Sequence, residues 1–242
     1  MRNKLLLTVF AFTAINFAFA QYNSESDFAF WVMGNNEGIR ITGVGWEVED
    51  LEVNIPPQIQ GLPVVEIWRD AFFGRLMTSI TIPYGVTYIG GSAFADNILT
   101  SFVIPNSVTY IGDRAFERNE LTSITIPNNV STIRVGAFQS NRLTNITIPN
   151  GVTRIEASAF RSNQLTGVVI PDSVTYIGLS AFANNQLTSI TIGANVMLQT
   201  QQGMFGPFGY GFEAFYNNPV GNNRQAGTFT RPNAESNVWT RQ

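Results

Sequence analysis

Residues 121–142 read Leu-Thr-Ser-Ile-Thr-Ile-Pro-Asn-Asn-Val-Ser-Thr-Ile-Arg-Val-Gly-Ala-Phe-Gln-Ser-Asn-Arg, and this pattern recurs along the chain every 22 residues. Its Ala-Phe dipeptide places one phenylalanine in each unit, at Phe72, Phe94, Phe116, Phe138, Phe160 and Phe182. Three residues further on, asparagine recurs at Asn97, Asn119, Asn141, Asn163 and Asn185. Chance does not keep several columns in one register, so the chain is a tandem repeat.

Each repeat carries two short apolar segments. Ile124 and Ile126 alternate with polar residues, which is the period of a half-buried strand. Pro127 should end that strand, because proline cannot donate a ladder hydrogen bond. A second segment, around Ile133, also points inward. The pattern predicts strands near residues 53–55, 80–82, 102–104, 124–126, 146–148, 168–170 and 190–192.

The repeats are expected to stack. One unit cannot bury its apolar face alone, whereas stacked units share a core and pair their strands. We predict a β-rich solenoid of about seven strands, roughly 30 Å long at about 4.8 Å per strand. The Phe column should fill the space between turns, and the Asn side chains should bond the backbone of the turns.

The first 20 residues have the pattern of a cleaved signal peptide. Arg2 and Lys4 precede an uncharged, mostly apolar run that ends in Ala18-Phe19-Ala20, a small-x-small site for a signal peptidase. A membrane anchor is the alternative, although Asn16 interrupts the run and the run is slightly short for a span. No later stretch is apolar enough to cross a membrane. We therefore expect an exported protein that is extracellular, cell-surface or periplasmic.

Residues 21–52 and 193–242 lack the repeat register and are predicted to cap the array of residues 53–192. The ends of a solenoid need covering because they expose core and strand edges. Residues 35–38, Asn-Asn-Glu-Gly, predict a hairpin in the N-terminal cap. A further Ala-Phe pair, Ala214-Phe215, predicts a degenerate last repeat in the C-terminal region.

The composition excludes much chemistry. The 242 residues contain no His and no Cys, which excludes zinc–thiolate sites, catalytic thiols and Ser-His dyads. Lys4 is the only lysine, so a chain without residues 1–20 has none. We expect no enzyme and no cofactor. The net charge of −3 gives no electrostatic reason for a nucleic-acid partner.

The densest acidic cluster has two functional interpretations, a calcium site or a carboxylate pair for glycosidic cleavage. It contains Glu47, Glu49, Asp50 and Glu52. The spacing fits no calcium loop, and no other acidic column aligns with the repeat. A solvated acidic loop beside the cap is the favoured interpretation, without a metal.

The repeat unit resembles that of the BspA-like bacterial leucine-rich-repeat family. The resemblance rests on Leu-Thr-Ser-Ile-Thr-Ile-Pro-x-x-Val-Thr-x-Ile-Gly-x-x-Ala-Phe, which residues 99–116 and 165–182 match most closely. It implies a curved, right-handed solenoid on exported or surface proteins of bacteria. It also implies adhesion to host matrix proteins, host cells or other bacteria. Many members place Cys where this chain has its Asn column.

Two exposed columns are candidates for a binding face. One contains Thr81, Thr125, Thr147 and Thr191, and the other contains Tyr88, Tyr110, Arg154 and Tyr176. Tyr and Arg are enriched at binding hot spots, although Tyr also simply suits strands. We expect a non-enzymatic interaction protein that holds a protein partner on its strand face. A glycan- or cell-wall-binding module is the alternative, in which Tyr would stack on sugars.

Overall fold

The computed structural model describes residues 23–45, 52–194, 196–199, 208, 225–236 and 238–242. Within them it is a β-solenoid with short 3-10 turns at Glu25–Asp27 and Gly34–Asn36. The strands are β1 (Phe28–Val32), β2 (Ile39–Val44), β3 (Glu52–Asn54), β4 (Gln58–Ile59), β5 (Leu62–Ile67), β6 (Ser79–Thr81), β7 (Tyr88–Ile89), β8 (Tyr110–Ile111), β9 (Thr132–Ile133), β10 (Arg154–Ile155), β11 (Gly167–Val169), β12 (Tyr176–Ile177), β13 (Ser189–Ile192), β14 (Met197–Leu198), β15 (Gly227–Thr230) and β16 (Thr240–Arg241). The predicted β-rich solenoid with a 22-residue repeat is confirmed.

The first apolar segment of each repeat forms the threonine row, which comprises β3, β6, β11, β13 and the bridges between them. The pairs β3–β6 and β11–β13 are parallel, and single bridges join Val103 to Thr125 and Thr125 to Thr147. The central predicted strands are thus reduced to single bridged residues. Strands β6 and β11 end one residue earlier than predicted because proline follows closely. Strand β13, with Gly193 at the proline position, continues to Ile192.

The second apolar segment forms the tyrosine row, which comprises β5, β7, β8, β9, β10, β12 and β14. Parallel pairing joins β2, β5, β7 and β8 in one sheet, and β9, β10, β12 and β14 in another. Paired residues in neighbouring strands are one repeat of 22 residues apart, so Tyr88 lies beside Tyr110 and Ile89 beside Ile111. Because adjacent strand residues point to opposite sides, each Ile is buried and each Tyr lies on the outside.

The Phe column forms a continuous stack inside the solenoid. The rings of Phe72 through Phe182 lie 5.3–5.6 Å apart between centroids and are fully buried. From Phe72 to Phe160, each Phe also donates its backbone N–H to the carbonyl of the Ala in the next rung, that is, in the next 22-residue turn of the solenoid, as Phe138 does to Ala159 at 2.9 Å. The same residue therefore fills the core and ties two rungs together.

The Asn column satisfies buried backbone groups at the corner that follows each Phe. The side-chain amide of Asn141 donates to the carbonyls of Phe116 at 2.9 Å and Phe138 at 3.2 Å. Its Oδ1 accepts the N–H of Leu121 at 3.1 Å. Asn97, Asn119, Asn163 and Asn185 repeat these contacts in their own rungs. Each amide thereby links two adjacent turns of the chain.

Both ends of the array are extended by antiparallel strands. The predicted hairpin around residues 35–38 is present, with β1 antiparallel to β2 and β2 parallel to β5. At the other end, β15 pairs with β13 and β16 pairs with β15, both antiparallel. The Phe column continues at Phe208, whose ring lies 5.2 Å from that of Phe182. Ala214-Phe215 and the segment of residues 1–20 lie outside the described residues.

Candidate binding surface

The predicted binding residues divide between the two rows. Tyr88, Tyr110, Arg154 and Tyr176 lie on the tyrosine row, whereas Thr81, Thr125, Thr147 and Thr191 lie on the threonine row. The sequence prediction treated them as parts of one face, and the structure places them in separate sheets. Thr191 is also partly covered, because its hydroxyl lies 2.9 Å from that of Thr228 on β15.

Three aromatic rings form a stack along the tyrosine row, which we call the aromatic stack. Tyr88 and Tyr110 lie 4.5 Å apart with an interplanar angle of 7°, and Trp68 lies 5.9 Å from Tyr88. The two Tyr rings are half-buried, and parallel in-register pairing of β7 and β8 holds them together. Such aromatic pairs are stabilised by about 0.5–1.5 kcal/mol beyond area burial.

Two guanidinium groups close the ends of the aromatic stack. Arg40 lies over Trp68 at 3.9 Å, and Arg134 lies over Tyr110 at 4.9 Å. Rung order puts these arginines at opposite ends, so each of the three rings has two neighbours, which are rings or guanidinium groups. The Arg40 side chain is itself held by Glu66 at 2.6 Å and Arg134 by Asp113 at 3.1 Å. The stack therefore presents ring edges and hydroxyls, rather than ring faces, to solvent.

The environment keeps the Tyr88 hydroxyl neutral. Burial raises the pKa of Tyr88 above its ordinary value of 10.0, and the neighbouring Tyr110 and the Glu66 carboxylate raise it further. A phenol that stays protonated remains available as a hydrogen-bond donor across the physiological pH range.

A second, smaller group lies further along the same row. Arg154 covers the ring of Tyr176 at 4.1 Å and pairs with Glu156 at 2.9 Å. The Tyr176 hydroxyl donates to Gln199 at 2.5 Å. These contacts position the edges of the Tyr176 ring and the exposed Arg154 side chain before any partner binds.

Sequence reasoning missed Trp68, Arg40 and Arg134. Trp68 follows Glu66 by two residues, and Arg134 follows Thr132 by two, so each shares the outward side of its strand. This two-residue spacing was the sequence pattern from which Trp68 and Arg134 could have been predicted. It was obscured because glycine occupies the same column in three other repeats, at Gly90, Gly112 and Gly178.

The array carries no net charge. Residues 53–192 hold eight acidic residues and eight arginines. Several of these pair between rungs, including Arg118 with Asp96 at 3.5 Å and Arg142 with Glu120 at 2.7 Å. Exposed pairs of this kind contribute only about 0–1 kcal/mol each. They neutralise the surface rather than build a charged binding patch.

The described part of the chain contains no cluster of three or more His, Cys, Asp or Glu that could hold a metal. In the acidic cluster of residues 47–52, Glu52 is described and exposed, whereas Glu47, Glu49 and Asp50 lie outside the described residues. In those same described ranges, no helix is long and apolar enough to cross a membrane.

Two solved structures that are similar to this chain are of bacterial proteins. A leucine-rich cell surface protein from Faecalibacterium prausnitzii is 23% identical over 77% of this chain and 60% of its own, with a TM-score of 0.51. A leucine-rich repeat protein from T. pallidum is 24% identical over 71% of this chain and 72% of its own, with a TM-score of 0.41. A search of the curated proteins finds no match.

The family comparison is more decisive. The sequence pattern of the BspA type leucine rich repeat region matches residues 65–188 in six copies. It covers the Phe and Asn columns from Phe72 to Asn185 and the strands from β6 to β12. Since the match spans more than half of the chain, the protein belongs to the BspA-type leucine-rich-repeat family.

Proposed function

We propose that the protein is an exported or surface-associated, non-enzymatic interaction module that binds a protein partner through the tyrosine row. The observation that carries the proposal is the aromatic stack of Trp68, Tyr88 and Tyr110 with its two arginine ends. Membership of a family with bacterial surface proteins among its structural relatives supports this role. The absence of His and Cys from the sequence supports a role without catalysis.

The stack suits protein recognition because it is ordered in advance. Tyr, Trp and Arg dominate binding hot spots, and hot spots lose less entropy when their side chains are already fixed. Here Tyr88 and Tyr110 fix each other, and Glu66 fixes Arg40. A partner would meet a narrow band of ring edges, neutral phenols and paired guanidinium groups.

A glycan partner fits this geometry less well. Sugar recognition by Tyr uses an open ring face, and the aromatic stack has none, because Arg40, Arg134 and the neighbouring rings cover them. The ring edges and hydroxyls remain available for hydrogen bonds. We therefore keep glycan or cell-wall binding as the outcome that the experiment below must exclude.

The binding test uses the protein without residues 1–20, applied to a panel of immobilised extracellular-matrix proteins and, in parallel, to a glycan array. For any partner found, Tyr88→Ala and Tyr110→Ala should each weaken binding by about 1–2 kcal/mol, the scale of moderate hot spots. Melting curves must accompany both variants, because losing a stacked ring also removes stabilising contacts. Tyr88→Phe and Tyr110→Phe keep the stack and report on the hydroxyls alone.

The matched control is Tyr84→Ala, because Tyr84 is an exposed tyrosine at the end of the threonine row and outside the stack. Its affinity should equal that of the unmodified protein for a partner on the tyrosine row. Folded stack variants with unchanged affinity would refute the proposed surface. Binding confined to the glycan array would refute the proposed class of partner.

Export is tested separately by intact mass. If residues 1–20 are a signal peptide, the exported protein should begin at Gln21, because Ala18-Phe19-Ala20 is the well-placed cleavage site. Expression of the full chain in a bacterial host and mass measurement of the exported fraction give the answer. A mass that retains residues 1–20 would identify this segment as an anchor.

A further inference from the structure

Two grooves open beside the threonine row, on the side where its strands run into the turns. The first has a volume of about 360 Å³ and lies between two rungs, with Ile82, Tyr84, Val103 and Pro105 in its lining. No charged residue lines it. Its size is within the range of sites that take a small ligand or a side chain.

The second groove lies near the C-terminal end of the array. It has a volume of about 580 Å³ and includes Val169, Ile170, Asp172 and Gly193, with Gly227 of β15 on one side. Asp172 forms no ion pair with any residue that the structure describes. This groove therefore combines apolar residues and the polar Asn150, Ser173 and Thr191 with one carboxylate that has no ion-pair partner among the described residues.

Each groove has an exposed valine at its edge. Val103 is 81% exposed and Val169 is 63% exposed. Both occupy the column that holds threonine in the other repeats, at Thr81, Thr125, Thr147 and Thr191. Solvent-exposed valine in an otherwise hydroxyl-bearing column adds nothing to the core, and apolar atoms at a groove edge favour contact with an apolar ligand.

The spacing of the grooves fits an extended peptide. Val103 and Val169 are three rungs apart, which is about 14 Å, and the groove centres are about one rung further apart. An extended chain advances about 3.3 Å per residue, so these distances correspond to four to six residues. Residues separated by an even number in such a chain point to the same side. Thr125 and Thr147 lie between the grooves and offer hydroxyls to the connecting residues.

We propose that the threonine row binds an extended, weakly basic peptide segment of a partner, with two apolar side chains four or six positions apart. One apolar side chain occupies the uncharged groove at Val103. The other occupies the groove at Val169, with a cationic residue beside it that pairs with Asp172. This surface goes beyond the tyrosine row and does not depend on the aromatic stack.

The test uses capped synthetic peptides in a Ser/Thr background, with two Leu residues separated by two to eight positions and Lys or Glu beside one Leu. Binding to the protein without residues 1–20 is measured by fluorescence polarisation. Affinity should peak at separations of four or six, fall at odd separations, and be at least threefold higher with Lys than with Glu. The Lys preference should disappear in Asp172→Asn.

The variant pair Val103→Thr and Val169→Thr restores the repeat residue at both exposed positions and should weaken the best peptide about tenfold. Val238→Thr is the matched control, because it makes the same change at an exposed valine away from both grooves. Tyr88→Ala should leave peptide affinity unchanged, which separates this surface from the tyrosine row. No dependence on Leu separation, or equal affinity of the double variant and the control, would overturn the proposal.

Discussion

Replacing Phe138 with alanine is expected to lower the free energy of unfolding by about 3–5 kcal/mol, the usual range for emptying a buried Phe site. Phe138 is fully buried, and its ring lies between Phe116 and Phe160 at centroid distances of 5.5 and 5.6 Å. Both neighbours are held in their own rungs by backbone hydrogen bonds, so they cannot close over the gap. The loss should therefore include the cavity as well as the transferred surface.

The measurement is chemical denaturation monitored by circular dichroism. Gln164→Ala is the control, because Gln164 is exposed in a neighbouring rung and its backbone N–H supplies its contact with Leu143. The control should change stability by less than about 0.5 kcal/mol. Equal losses for Phe138→Ala and Gln164→Ala would mean that the Phe column does not form the core.

The repeat itself made the core predictable. A fixed period of 22 residues fixes which positions share a column, and an apolar column must face inward for stacked rungs to share a core. Both strand segments and the family followed from that register, whereas the N-terminal hairpin followed from the turn residues 35–38. The burial of Phe72 through Phe182 could therefore be predicted without the three-dimensional structure.

The candidate surface could be predicted only in part. Column membership shows that Tyr88 and Tyr110 are neighbours, but it does not show whether their rings lie flat on the surface or stack on each other. Nor does it show that the Thr and Tyr columns belong to separate sheets. The turn that follows the tyrosine row was not predicted either: Ser92, Ser158 and Ser180 adopt positive φ angles of 54–57° there. In this column only Gly136, with a φ of 61°, is the residue type that favours such a conformation.

The C-terminal end extends the Phe column beyond the exact repeat spacing. Phe208 lies 26 residues after Phe182 and stacks on its ring with an interplanar angle of 2°, whereas the predicted pair Ala214-Phe215 lies outside the described residues. An aromatic ring suffices to continue the column, and neither the preceding alanine nor the exact spacing is needed once the array ends. Packing therefore selected a residue that the repeat pattern did not mark.

The Asn column explains why a polar side chain recurs inside an apolar core. Asn141 is 7% exposed, yet it makes hydrogen bonds to Phe116, Phe138 and Leu121. The corner leaves an N–H without a ladder partner and two carbonyls directed at the same place. An amide is the side chain that offers one acceptor and two donors in a single plane. A smaller or purely apolar residue would leave those backbone groups buried without partners.

Replacing Asn141 with alanine is therefore expected to lower the free energy of unfolding by about 3–5 kcal/mol. Each buried backbone group left without a partner costs about 1–3 kcal/mol, and the Leu121 N–H and the Phe116 carbonyl both depend on this amide. Asn145→Ala makes the same change at an exposed Asn whose amide bonds to the adjacent Thr144, and it should cost less than about 0.5 kcal/mol. Denaturant unfolding of the two variants gives the comparison.

Asn141→Asp separates the loss of donors from the loss of volume. The aspartate can accept the Leu121 N–H, but its charged form cannot donate to the carbonyls of Phe116 and Phe138. Burial and the facing carbonyls should raise its pKa above the unfolded value of about 3.9. The folded state then binds the proton more tightly, so the variant is most stable below pH ~3.9 and loses stability as pH rises through the folded pKa.

At neutral pH the Asn141→Asp variant should be at least as unstable as Asn141→Ala. An aspartate variant as stable as the unmodified protein at neutral pH would show that the donor contacts do not stabilise the corner.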